Sequence, residues 1–129
     1  MSLILIADWD EVERVHFWKI LEKGGHELLF ARDGQQAMEI WDKNPIDLVI
    51  TELLMPELSG LRLIRELNER DRGVRIIAIS LENADQLDLA EDFGAMRILY
   101  KPVTPKILSE TVEDVLRGYR PRGELWKHR

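Results

Sequence analysis

The chain contains no cysteine. That absence excludes a disulfide framework, a thiolate nucleophile and any cysteine-ligated metal, and it predicts a reducing, cytoplasmic setting. Long apolar runs are missing too: the first, Leu3–Ala7, is much too short to cross a membrane and lacks the basic flank and cleavage pattern of a signal peptide. Positive charge is in deficit, with a net charge of −6, which argues against an extended nucleic-acid surface because such surfaces carry a basic stripe. The three histidines, His16, His26 and His128, share no metal-ligand spacing and read as surface residues. Residues 1–116 hold no Pro/Gly/Ser linker, internal repeat or low-complexity segment. A chain of 129 residues buries roughly two-thirds of its unfolded surface in a single core, so one domain is expected.

Basic residues gather in one place. From Arg117 onward, Arg117, Arg120, Arg122, Lys127 and Arg129 face only Glu124, in a stretch, RGYRPRGELWKHR, that has no helical period. The division read here is a domain over 1–118 and a basic tail over 119–129. The tail is a solvated extension or the stub of a linker, with Trp126 hinting at docking on this domain or a partner.

Strand and helix patterns alternate along the rest. Apolar strand runs occupy Leu3–Ala7, Leu28–Ala31, Leu48–Ile50, Val74–Ile79 and Ile98–Tyr100, with room for a helix between each pair. Helical spacing appears at Phe17, Ile20 and Leu21; at Ala37, Ile40 and Trp41; at Leu61, Leu63, Ile64 and Leu67; and at Ala84, Leu87 and Ala90. The last helix is the best marked, with Ile107/Leu108, Thr111/Val112 and Val115/Leu116 behind a Thr104 cap and Pro105, and Gly118 as its stop. Such βα alternation requires a mostly parallel, doubly wound sheet with helices on both faces, since five strands are too few for a closed (βα)₈ barrel.

In such a sheet the carboxyl ends of the strands converge on one edge. The first strand is followed by Asp8-Trp9-Asp10-Glu11, the third ends in Thr51-Glu52, the fourth in Ser80 and the fifth in Lys101-Pro102. Carboxylates, a hydroxyl and an ammonium in one cleft are suited to a phosphoryl group and a hard cation.

The motifs ILIADWDE, DLVITELLMPELSG, IIAIS, FGA and YKPVTP, in this order, resemble the receiver domain of bacterial response regulators over residues 3–118. The resemblance implies a flavodoxin-like α/β sandwich around a five-stranded parallel sheet. It also implies a pocket in which an acidic pair follows the first strand and an aspartate ending the third takes a phosphoryl group from a sensor histidine kinase. A Thr or Ser ends the fourth strand and a Lys before a cis-Pro ends the fifth. Position by position these fall on Asp8 and Trp9, Glu52, Ser80, and Lys101 with Pro102; Asp10 adjoins them, and Leu54 falls where the family offers Mg²⁺ a backbone carbonyl.

Three positions depart from that pattern. Trp9 stands where the second acid should be, and indole offers no oxygen to Mg²⁺. Glu52 replaces the acceptor aspartate, and its extra methylene moves the carboxylate by about 1 Å, on the order of a 10²-fold loss where in-line geometry governs the rate. Ile98 occupies the place of a switch aromatic; Tyr100, two residues on along the same strand face, is a candidate substitute, though rim or core packing accounts for it as well.

The residues leave simpler roles open. Glu52 reads first as an ion-pair partner of Lys101, and beyond that as a partial imitation of a phosphorylated aspartate, one charge where a phosphoryl group supplies about two. Asp8 and Asp10 also suit the capping of the first helix. The expectation is a non-enzymatic, phosphorylation-independent receiver that binds no cofactor beyond weak Mg²⁺. It would dock a histidine kinase or downstream effector through the face of helix 4, strand 5 and helix 5, with a homodimer as a further option and no direct contact with membrane or nucleic acid. Two alternatives stay open: a phosphoaccepting receiver that uses Asp8 or Asp10, and an N-terminal receiver cut from a longer regulator with a DNA-binding or enzymatic output domain. A flavin-binding flavodoxin fits less well, because no Ser/Thr/Gly-rich phosphate loop follows the first strand.

Overall fold

The computed structural model describes residues 2–81 and 87–118. In chain order these form β1 (Leu3–Ala7), α1 (Glu11–Leu21), a short 3₁₀ turn (Glu22–Gly24), β2 (Glu27–Ala31), α2 (Gly34–Lys43), β3 (Leu48–Glu52), α3 (Gly60–Arg70), β4 (Ile76–Leu81), α4 (Leu87–Phe93), β5 (Arg97–Lys101) and α5 (Pro105–Leu116). The strands make a five-stranded sheet in the order β2-β1-β3-β4-β5, parallel at every pairing. The expected α/β class and strand number are therefore present. Strand order reverses between β1 and β3, the switch point where a crevice opens outside the carboxyl ends of the strands.

Side-chain alternation explains why helices cover both faces. Ile4 and Ile6 of β1 and Leu48 and Ile50 of β3 join Phe17 and Leu21 of α1 and Leu108, Val112 and Val115 of α5 in one core. Leu5, Val49, Ile76 and Ala78 point the other way into a core with Ala37 and Met38 of α2, Leu63, Ile64 and Leu67 of α3, and Ala90 of α4. A parallel sheet buried on both faces needs such continuous apolar strands. Polar caps begin the helices: Asp10, Asp33, Ser59 and Thr104 each accept a backbone amide of the first turn, and Pro105 follows Thr104 at the start of α5. Gly118, at φ 87°, ends α5 in the left-handed region.

Strand bounds differ from the apolar runs by a residue or two: β2 begins at Glu27, and β5 spans Arg97–Lys101. The run Val74–Ile79 starts too early: Val74 is buried, but its amide bonds to the Asp71 carbonyl in a turn, and pairing begins at Ile76. β3 ends in Thr51-Glu52 as expected, pairing Thr51 with Ala78 and Glu52 with Ile79. Ala84, Trp126 and the tail 119–129 lie outside the described residues.

Candidate functional site

Glu52, the last residue of β3, is 5% exposed, and both of its carboxylate oxygens are engaged. Oε1 lies 2.5 Å from Lys101 Nζ, at the end of β5. Oε2 accepts the backbone amides of Leu53 at 2.7 Å and Leu54 at 3.0 Å, so the side chain turns back over the start of its own loop. The loop is pressed against α3 at Gly60, whose amide donates to Leu53 O; a Cβ there would stand 1.9 Å from the Glu52 carbonyl. Only glycine fits so close a backbone approach. Within the same loop Glu57 holds φ at 66°, in the left-handed region.

Asp8 follows β1 and is 1% exposed. Its Oδ1 accepts the Asp10 amide at 2.9 Å, and its Oδ2 lies 3.5 Å from Lys101 Nζ. Lys101, its side chain 16% exposed, thus stands between two buried carboxylates. Burial pushes the Asp8 carboxyl above its ordinary range; the Asp10 amide and the Lys101 charge oppose this without cancelling it. Burial alone would draw the Lys101 ammonium down, yet its hydrogen bond to Glu52 and the charges of Asp8 and Glu52 outweigh that, and its net displacement is upward. The Lys101–Pro102 bond is cis.

The remaining sequence-designated residues divide into those that join this cluster and those that do not. Ser80 ends up fully buried at its rim, paired in register with Tyr100, and its hydroxyl has no hydrogen-bond partner among the described residues. Asp10 is the N-cap of α1, accepting the Val12 amide. Trp9 is 57% exposed beside Asp8. Leu54 and Tyr100 are likewise exposed, so Tyr100 packs in neither core, whereas Ile98 packs against the α2–α3–α4 core. His26, read as a surface residue, is corrected: its side chain is 9% exposed and Nε2 lies 3.0 Å from Glu113 Oε2. His16 is exposed, and His128 falls outside the described residues.

Sequence reasoning missed the two amides that grip Glu52. Backbone donors carry no residue signature, and the only cue was the turn-forming LLMPELSG stretch behind the glutamate.

This donor set does not fit a magnesium ion. The Glu52 oxygens are committed to Lys101 and to two amides, Asp8 shares Lys101, and the neighbouring position presents an indole. Among the described residues, no group of three or more His, Asp or Glu side chains is arranged to hold a metal. Mg²⁺ demands near-octahedral oxygen geometry. What the site offers instead is an anion cradle, an ammonium and two backbone amides, already filled by a carboxylate of the same chain.

Comparison with known proteins agrees with the architecture. Residues 4–113 match the response regulator receiver domain family. The chain is 26% identical over 125 residues to response regulator RR06 of Streptococcus pneumoniae, covering 97% of this chain and 58% of the relative. It is 36% identical over 104 residues to response regulator GtcR of Aneurinibacillus migulanus, covering 79% and 42% respectively. The chain therefore spans about half the length of these curated relatives. Among solved structures, a response regulator receiver domain protein from Clostridium thermocellum superposes with a TM-score of 0.84 at 30% identity, covering 91% of this chain and 95% of that one. With its sheet order, its Asp8–Lys101–Glu52 cluster at the switch point and a family match over residues 4–113, the chain belongs to the response regulator receiver domains of two-component signalling.

Proposed function

We propose that this receiver domain works without accepting a phosphoryl group, as a non-enzymatic protein-interaction module whose pocket Glu52 holds closed. The observation that carries the reading is the convergence of Lys101 Nζ and the Leu53 and Leu54 amides on the Glu52 carboxylate. A nucleophile needs a free lone pair aligned with its target, and here the ammonium and the amides occupy the oxygens that would attack. The missing acid at Trp9 removes the cation that would offset charge on an incoming phosphoryl group.

The same cradle makes Glu52 a partial substitute for a modified aspartate. It supplies one charge where a phosphoryl group carries about two. The imitation stops short at Ser80, whose hydroxyl is left without a partner among the described residues. On this reading α4, β5 and α5 form the docking face for a kinase or effector, with Tyr100 and Ile107 exposed on it, and Mg²⁺ binds weakly at most. Residues 119–129 act as a separate basic tail.

The rival acceptors are poorly placed. Asp8 is buried with both oxygens engaged, and Asp10 serves its helix. Intact mass after treatment with a small phosphodonor and Mg²⁺ tests the proposal. The expected spectrum is unmodified; one added phosphoryl group per chain would overturn it, and peptide mapping would then tell Glu52 from Asp8 or Asp10. A second reading rests on length: relatives about twice as long favour a receiver module within a larger regulator, which the neighbouring coding sequence decides.

A further inference from the structure

The outer side of α1 is apolar where a solvated helix would be polar. Val12, Val15 and Trp18 follow one another at three-residue spacing and are 74%, 45% and 44% exposed, while Phe17 and Leu21 of the same helix fill the core. Val15 is the ridge between two shallow grooves. One, of about 250 Å³, is lined by Glu11, Arg14, Val15, Trp18 and Phe30; the other, of about 400 Å³, by Glu11, Val12, Val15, His16 and Lys19. Charge is graded along the stripe. Asp10 and Glu11 stand at its beginning, and Lys19 and Lys23 at its end, with Glu22 between them.

We propose that this face binds a second copy of the chain, the two α1 helices crossing antiparallel about a twofold axis at Val15. Residues equally far before and after Val15 then meet their opposites across the axis. Val15 touches Val15, Val12 of each copy lies on Trp18 of the other, and Glu11 faces Lys19 twice. Other registers lose this match. Moving the axis one residue towards Phe17 brings Arg14 opposite Trp18, and moving it two residues sets Val12 against Glu22 and Val15 against Lys19. Packing the helices parallel would oppose Glu11 to Glu11 and Lys19 to Lys19. The self-complementarity of apolar residues and charge in a single register is what selects a second copy over an unrelated helix. The inference does not depend on how the pocket is used. A patch of this size belongs with interfaces below about 1,200 Å² that exchange rapidly, so the dimer fills at concentrations on the order of 100 µM.

The absence of cysteine makes the axis directly testable. Val15→Cys places two thiols at the twofold, and under mild oxidation the full-length variant should form a disulfide dimer at least about tenfold faster than Glu69→Cys, exposed on α3 across the sheet. In the Val15→Cys background, Glu11→Lys or Lys19→Glu alone should slow cross-linking, because the symmetry counts each reversal twice, by about tenfold. The double reversal should restore it. Sedimentation equilibrium of the unmodified chain from about 10 µM to about 1 mM should show reversible dimerisation, weakened by Trp18→Ala. A chain monomeric over that range, equal cross-linking of the two cysteine variants, or no recovery in the double reversal would overturn the proposal and give the stripe to another occupant.

Discussion

Lys101 is the residue on which the buried charges depend. It stands between Asp8 and Glu52, both almost fully buried, and removing one partner of a buried charge cluster leaves the others uncompensated. Lys101→Met is therefore expected to destabilise the domain by about 3–5 kcal/mol in urea denaturation, and adding Glu52→Gln should recover part of that loss. Because the folded value of Lys101 is raised, its contribution is complete below the ordinary lysine value and is lost only as pH climbs through the folded one. Asp8 has the opposite effect. Its folded value is also raised, so its charge costs stability above that value, and the cost is relieved as pH falls towards the ordinary carboxylate value. Asp8→Asn should accordingly raise the melting temperature near neutral pH, with a gain that shrinks as the pH falls through the raised folded value towards the ordinary carboxylate one. A gain independent of pH would mean that Asp8 is not held charged against its burial.

Among elements, the junction of β3 with α3 positions the site. The approach of Gly60 to the Glu52 carbonyl leaves no room for a side chain, so Gly60→Ala is expected to cost about 3 kcal/mol or more and to loosen the Glu52 loop. Thr104→Ala, which removes the α5 cap, should cost only about 1 kcal/mol. Comparing the two by chemical denaturation separates a close backbone contact from an ordinary cap. Most elements were legible in the amino-acid sequence because hydrophobicity reports burial. For the same reason Val74, buried but unpaired, was read into β4. In α1 the inward residues Phe17, Ile20 and Leu21 were evident, whereas Val12, Val15 and Trp18 needed coordinates to place them in solvent.

For the whole molecule, the order β2-β1-β3-β4-β5 gathers Asp8, Glu52, Ser80 and Lys101 at one corner of the sheet. That convergence was readable from strand order alone, since parallel strands joined by crossovers send every carboxyl end to the same edge. The fate of each group there was not. The hold of two amides on Glu52, a Ser80 hydroxyl without a partner among the described residues and the exposure of Trp9 arise from loop geometry that residue types do not encode. If the fold still presents this corner intact, two substitutions separate it from an acceptor site. The decisive measurement treats four proteins, the unmodified chain, Glu52→Asp, Trp9→Asp and the double variant, with a small phosphodonor and Mg²⁺. Intact mass and hydroxylamine sensitivity are then read for each. Only the double variant should gain one labile, Mg²⁺-dependent phosphoryl group, because nucleophile and metal ligand act as a unit and neither alone suffices. Phosphorylation of the unmodified chain would refute a pocket closed by Glu52, and a folded double variant that stays inert would refute a corner kept ready around Asp8, Ser80 and Lys101.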